Sequence, residues 1–498
     1  MDTTPDITND TAPAPSGAKV DLTQGPITGH VFRMLGPFAV AVIALLSAGI
    51  IDTIYLGNLS TEGYLGWLPF FDGHIVDTTR DLGVGEDGEP LSLGVVALAA
   101  IGIGYPLTFL GNSANIGLGA GTMSAVSRAT GQGESAKARR YAASAILFAL
   151  MVMTLLTAMM MLAMPFVVRI MGAQGQVLTL ALQYLAISLP GLVIVSVANV
   201  GNNILRAGGE AALPSLIMIL GAVINILLDP FLIFGIGPFP QLEVQGAALA
   251  TVIGNTIAAA FAFYILQIRR RAVDFVGMTW TTLKAAWWRV GSVGIPAAGT
   301  NMVVPIGTAI AVGAVQNMLG TQANAAFTLT SRSELIAVGL LYALSACIGA
   351  ITGQNGGAGR TDRVRETFIT CYTICLVWGT VMAGVLYIFR GPIVSVFTSD
   401  PVVIDMALPY FAIVPITIFA YGFVFISAAG FNALGRPLFG LTYTILRSLV
   451  LYAPLVALGA WTHGLVGAFV GVAVANLLSG AVAAWWSLKR APMRAQNS

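Results

Sequence analysis

Apolar stretches of about 20 residues recur along this chain, each just long enough to cross the hydrocarbon core of a bilayer and separated from the next by a short polar connection. A chain patterned this way has few folds open to it. In lipid, every backbone N–H and C=O must be satisfied internally, so spans of this length are α-helices. Charge agrees with the pattern: 9% of residues are Asp, Glu, Lys or Arg and 56% are apolar, against roughly 25% charged in an ordinary soluble domain. The 498 residues leave room for about twelve spans. They are predicted near 33–56, 93–121, 141–168, 177–204, 213–236 and 245–268, then 291–318, 324–352, 367–389, 403–430, 438–460 and 464–487. The 57 glycines fit helices that approach closely without a hydrophobic force between them. The expected fold class is therefore all-α and polytopic.

The connections divide the chain. Residues 1–28 are rich in Pro, Thr, Asp and Gly and read as a disordered tail. Its opening MDTTPDITND has no basic region before an apolar core, so the first span rather than a cleaved signal is expected to direct insertion. Residues 29–268 form a first six-helix unit interrupted by an acidic outer loop, 57–91, in which Glu62, Asp72, Asp77, Asp81, Glu86, Asp87 and Glu89 outnumber the single Arg80. A basic, partly aromatic connector, 269–289, reads as an amphipathic segment at the membrane surface. The second unit covers 290–488, and 489–498 is a short tail.

Positive charge sets the orientation. With the amino terminus inside, nineteen Lys and Arg residues fall on the cytoplasmic side and three, Arg80, Arg169 and Arg390, outside; Arg332 and Arg447 lie within spans. Both termini are thus predicted in the cytoplasm of a cell whose inner membrane holds the protein. The units also repeat. Gly131-Gln-Gly133 with Lys137 and Arg139 matches Gly357-Ala-Gly359 with Arg363 and Arg365 at a constant offset of 226, and Gly246-Ala247 with Asn255 matches Gly467-Ala468 with Asn476. Six spans per unit make the repeat parallel, two similar lobes around a central cavity.

The repeat is not symmetric in its acids. Asp52 lies inside the first span. Asp229 lies inside the fifth, one helical turn after Asn225 and on the same face. A carboxylate at such depth costs on the order of 3 kcal/mol, so it is functional by default. The matching positions in the second half are Val312 and Ala453. With Asn225 and Thr251 as companions, the two acids make a candidate proton or cation site, Na+ included. Asn199, Asn202 and Tyr55 are candidate substrate contacts, while Arg332, Glu334 and Arg447 read as buried charge pairing in the second half.

Several segments together resemble the multidrug and toxic compound extrusion family, in its prokaryotic form, along nearly the whole chain. They are IDTIYLG from Ile51, GLGAGTMSAVSRATGQG from Gly117, NNILRAGG from Asn202, NILLDP from Asn225, GAALAT from Gly246, the run from Ser331 to Glu366, and NALGRP from Asn432. The resemblance implies a secondary active exporter that exchanges organic cations for H+ or Na+. It carries the amino-lobe polar site of prokaryotic members onto Asp52, Asn225, Asp229 and Thr251. Two departures stand out: the loop after span 1 is longer and more acidic than the family's, and span 7 has Asn301 where some branches carry a glutamate.

Other functions find no support in the residues. The glycine runs at Gly102 and Gly117 lack the strand and acidic residue of a nucleotide fold. Three histidines, His30, His74 and His463, form no HExxH and no haem pair, so no enzyme is expected. Cys347, Cys371 and Cys375 sit in apolar surroundings without further metal ligands and read as buried thiols. No cofactor is expected beyond the coupling ion, H+ or Na+. The expected partners are organic cations and the bilayer, with no nucleic acid, and the protein is expected as a monomer. The alternatives are a lipid-linked saccharide flippase of the same superfamily, whose anionic cargo would favour Arg332 and Arg447, and a non-transporting receptor or assembly protein.

Overall fold

Helix formation follows from the apolar runs, and the breaks between helices follow from glycine, proline and charge. The computed structural model describes residues 21–57, 93–171, 173–276, 278–397 and 401–491. The larger part of the predicted tail (1–20), nearly all of the acidic loop (58–92), residues 492–498 and the side chain of Arg332 lie outside the described residues.

The first half comprises α1 (Ile27–Gly57), α2 (Leu93–Gly131), α3 (Ser135–Ile170), α4 (Gly175–Ala207), α5 (Ala212–Phe234) and α6 (Glu243–Tyr264). In the second half α7 (Trp280–Gly357) is broken at Gly320, whose φ of 83° no β-branched or bulky residue adopts readily, so it crosses twice. Next comes α8 (Thr361–Ile388), followed by a crossing pieced together between Pro401 and Ala433. The last stretch, Pro437–Arg490, breaks at His463 and Gly464. Eleven stretches among the described residues are long and apolar enough to span a membrane. The break in the last makes twelve crossings. The connector is not a separate element: Trp280–Arg289 are the first turns of α7, capped by Thr279, which accepts from the Thr282 N–H.

The outer surface of the bundle is apolar. Along α3 the side chains of Leu155, Met159, Leu162 and Phe166 are exposed at three- and four-residue spacing, the stripe of a helix facing lipid. Inside, small residues let backbones meet. A Cβ on Gly254 of α6 would come within 2.6 Å of the Gly221 carbonyl oxygen of α5, which is how these two helices bring their polar groups together.

The two halves meet at the end of the bundle that carries most of the arginines, here called the basic end. A Cβ on Gly131 of α2 would lie 2.7 Å from the Gln354 carbonyl carbon of α7, and one on Gly357 would lie 2.9 Å from the Arg128 carbonyl carbon. The Ser124 hydroxyl donates to the Ala433 carbonyl at 3.1 Å, and Gln354 Nε2 donates to the Ala207 carbonyl of α4 at 2.7 Å. Residues 21–25, expected as the end of a disordered tail, are laid across this junction. The Leu22 side chain is fully buried, its N–H donates to Gln354 Oε1 at 3.1 Å and its carbonyl accepts from Asn355 Nδ2 at 3.1 Å. Arg360 and Arg363 donate to the Thr23 and Gly25 carbonyls at 2.8 and 2.9 Å. The strap therefore ties the start of α1 to the other half of the molecule.

Candidate functional site

On α5, Asn225 and Asp229 share a face because they stand four residues apart, and both are buried, Asp229 completely. Pro230 follows at once; lacking an N–H, it leaves the α5 ladder one hydrogen bond short beside the acid. Asn225 Nδ2 donates to Asp229 Oδ1 at 3.3 Å and to Thr251 Oγ1 of α6 at 3.2 Å. Thr251 is exposed, so the polar group has an accessible edge. The fourth member comes from α1, where half-buried Asp52 brings its carboxyl group within hydrogen-bonding range of the Asp229 carboxyl. The structure thus brings all four predicted residues together.

The donors supplied by the protein do not saturate this pair. Asp52 Oδ1 and Asp229 Oδ2 are both buried without a hydrogen-bond donor from the chain. A buried carboxylate oxygen left this way is costly unless a proton or a cation serves it. Two phenols complete the surroundings: Tyr55 lies close to Asp229 and packs edge-on against Phe234 at 6.0 Å between ring centres, and Tyr184 of α4 lies close to Asp52. Tyr184 escaped the sequence reading because a tyrosine within an apolar run is indistinguishable from a packing residue.

The asparagines of α4 take other positions. Asn199 donates to the Asn115 carbonyl of α2 at 2.6 Å and accepts from Asn203, whose amide sits over Gly119. It joins α2 to α4. Asn202 is buried, with its Oδ1 unpartnered by the chain. Neither lies among the groups that touch the acid pair.

The second half carries a different constellation. Tyr410 donates to Glu334 Oε2 at 3.2 Å. Arg447, 5% exposed, donates through Nε to Asn476 Oδ1 at 3.1 Å, and Asn476 in turn donates to Thr417 Oγ1 at 3.2 Å. Its guanidinium lies 3.4 Å from the Tyr421 ring centre and 5.4 Å from that of Tyr452. Arg447 belongs to a π-helical turn, Leu446–Tyr452, that ends where Ala453 stands in place of Asp229. Glu334 and Arg447 are near enough to interact electrostatically, in keeping with charge pairing inside this half. The three cysteines are buried and free.

The chain resembles known proteins over most of its length. The MatE family model matches residues 91–231 and 296–458. The chain belongs to the MatE family. Members are transporters of multidrug and toxic compound efflux type, not enzymes, and this MatE chain is a multi-pass membrane protein. A Shewanella oneidensis protein named FAD transporter is 32% identical over 459 residues, covering 92% of this chain and 94% of that protein. The probable multidrug resistance protein NorM of Thermotoga maritima is 24% identical over 317 residues, 62% of this chain and 67% of that one. Among solved structures, a mutant of the Vibrio cholerae MATE transporter VcmN superposes with a TM-score of 0.81 at 25% identity, over 95% of this chain and 98% of the other. The MatE fold is all-helical, with two six-helix lobes.

Weakening the supporting residues should weaken, not abolish, ion handling. Asn225→Ala removes the donor that orients Asp229, and Thr251→Ala removes the hydroxyl at the open edge. Each is expected to shift apparent affinity for the coupling ion by about 1–2 kcal/mol. Titration of ion-dependent transport in proteoliposomes checks this; an unchanged midpoint in both variants would mean that the Asn225–Thr251 pair contributes nothing to the site.

Proposed function

We propose that this MatE protein is an ion-coupled exporter of the inner membrane whose coupling ion is a proton shared by Asp52 and Asp229. One observation carries the reading: two carboxyl groups on different helices, Asp229 buried and Asp52 half-buried, are within hydrogen-bonding range, and two carboxyl oxygens bond to each other only when one holds a proton. A proton arriving from outside joins α1 to α5; its departure leaves two like charges side by side in a site of low polarity, which drives the helices apart. Coupling then follows if cargo binds the two arrangements with unequal affinity. Four oxygens, one each from Asp52, Asn225, Asp229 and Thr251, would also suit Na+.

For the cargo, the relative named FAD transporter supports an aromatic dinucleotide, because its likeness runs almost end to end. The relatives named for multidrug resistance, at lower identity over part of the chain, support organic cations as a second reading. The deciding experiment is transport in proteoliposomes with pH and Na+ gradients imposed separately, using FAD and ethidium as cargo. Export driven by a pH gradient alone supports the proton; export only under a Na+ gradient replaces it.

The basic end faces the cytoplasm in this reading, and with it both termini, since nineteen Lys and Arg residues fall in the sequence on that side of the spans and three on the other. An impermeant maleimide is expected to label a cysteine introduced at exposed Thr282 in inside-out vesicles only. Labelling in intact cells would invert the topology.

A further inference from the structure

Beyond the acid pair, the second lobe holds a ladder of tilted aromatic contacts that ends on a guanidinium. The Tyr342 and Phe425 rings are 4.9 Å apart, Phe425 and Tyr421 are 4.7 Å apart, and the Arg447 guanidinium covers Tyr421 at 3.4 Å with Tyr452 at 5.4 Å. Each rung orients the next, because rings at these separations gain from offset or tilted stacking and a guanidinium gains from a ring face. The buried end is anchored: Arg447 is held by Asn476, and Asn476 by Thr417.

The other end is open. Tyr342 keeps 46% of its surface accessible. That surface is internal: Phe425 flanks the ring on its own lobe, and on the other side Tyr105 of α2, from the first lobe, lies within electrostatic range. Tyr105 is itself exposed and leans on Phe109 at 5.8 Å. Two accessible tyrosines, one per lobe, thus stand near each other.

We propose that Tyr342 is the specificity-determining platform of the cargo site, receiving a planar, electron-poor ring as the next rung of the ladder with Tyr105 closing on it from the opposite lobe. The proposal rests on the aromatic-cargo reading above and adds the residues that would select for planarity. A flavin ring fits such a platform because it is flat, electron-poor and larger than a phenol, and stacking needs no hydrogen-bond pattern to be matched. Charge is left to other groups, so a planar cation could use the same rung.

The test uses the purified full-length protein, with FAD and ethidium as separate probes. Stacking on tyrosine quenches flavin fluorescence. Wild type is expected to quench FAD saturably. Tyr342→Phe should do the same, since the ring remains. Tyr342→Leu should weaken binding about tenfold at an unchanged monomer peak, and Tyr342→Met serves if the leucine variant does not fold. Unaltered FAD binding in the leucine or methionine variant would overturn the platform while leaving the cargo reading intact. Loss of binding in Tyr342→Phe would also overturn it, since the hydroxyl would then be the recognised group. If wild type binds ethidium through Tyr342 but not FAD, the platform stands and the dinucleotide reading falls. If wild type binds neither, both fall.

Discussion

Asp229→Asn is expected to leave the protein inserted and folded while removing gradient-driven export altogether. Asn matches Asp in volume, and the Asn225 amide can still donate to an oxygen at that position, so the packing of α5 against α6 survives. What is lost is the exchangeable proton: an amide neither takes one up nor releases one near neutral pH. The facing Asp52 carboxyl then has a permanent hydrogen-bond donor as neighbour, and the pair no longer alternates between bonded and repelling states. An exchange that moves one net charge inward draws about 2.3 kcal/mol from a potential of 100 mV, about a 50-fold concentration ratio for the cargo. In the variant that ratio should fall to unity. The measurement is cargo accumulation in proteoliposomes at equal protein levels, together with proton release on cargo addition. Asp52→Asn should behave alike. Wild-type accumulation in both variants would remove the pair from the mechanism.

Gly131→Ala should disable the transporter for a different reason. The new methyl would run into the carbonyl of Gln354, a backbone group that no side-chain rotation can move aside. Such overpacking costs roughly 1–3 kcal/mol. It falls only on the arrangement in which the lobes touch at the basic end, because the higher helix propensity of Ala applies to α2 in either arrangement. The population of the touching state should therefore drop about 5- to 150-fold relative to the parted one. Spin labels on cysteines introduced at exposed Glu134 and Asp362, one on each lobe, would report this as a longer distance by electron paramagnetic resonance. The native thiols are buried and will not compete for label. An unchanged distance distribution with full export would show that the seam has slack.

The twelve crossings were legible because the bilayer imposes a length on apolar runs, and the grouping of Asp52, Asn225, Asp229 and Thr251 was legible because an acid at that depth needs polar company. Helix ends were not. The run of α2 was expected to end near residue 121 and continues to Gly131; α3 was expected from 141 and begins at Ser135. Hydropathy marks where lipid stops, whereas the backbone goes on hydrogen-bonding through polar turns that hold Arg128, Lys137 and Arg139. Nor could apolar context distinguish a packing tyrosine from Tyr184 beside Asp52 or Tyr342 at the end of a ladder. The π-helical turn at Leu446–Tyr452 left no trace either, since one extra residue per turn changes the register of a helix without changing its composition. Asn199 donates to α2 from α4, a contact that its position in the sequence did not announce.

The glycine seam at the basic end obeys the same 226-residue offset that relates the halves: Gly131 is to Gln354 as Gly357 is to Arg128, and Ser127 meets Gly353, its own counterpart. The contact is therefore isologous, like the interface of a two-fold dimer folded into one chain, with a pseudo-dyad passing between Ser127 and Gly353. An interface of that kind has no leading and trailing edge. Its two equivalent points part or close in one rotation about the dyad, so a methyl at either glycine blocks the same motion and the double substitution should cost less than twice the single. The Asp52–Asp229 pair lies in one lobe alone. On the proposed mechanism a symmetric joint is worked by an asymmetric trigger: the lobe that carries the acid pair changes shape while the other serves as the stator against which it moves.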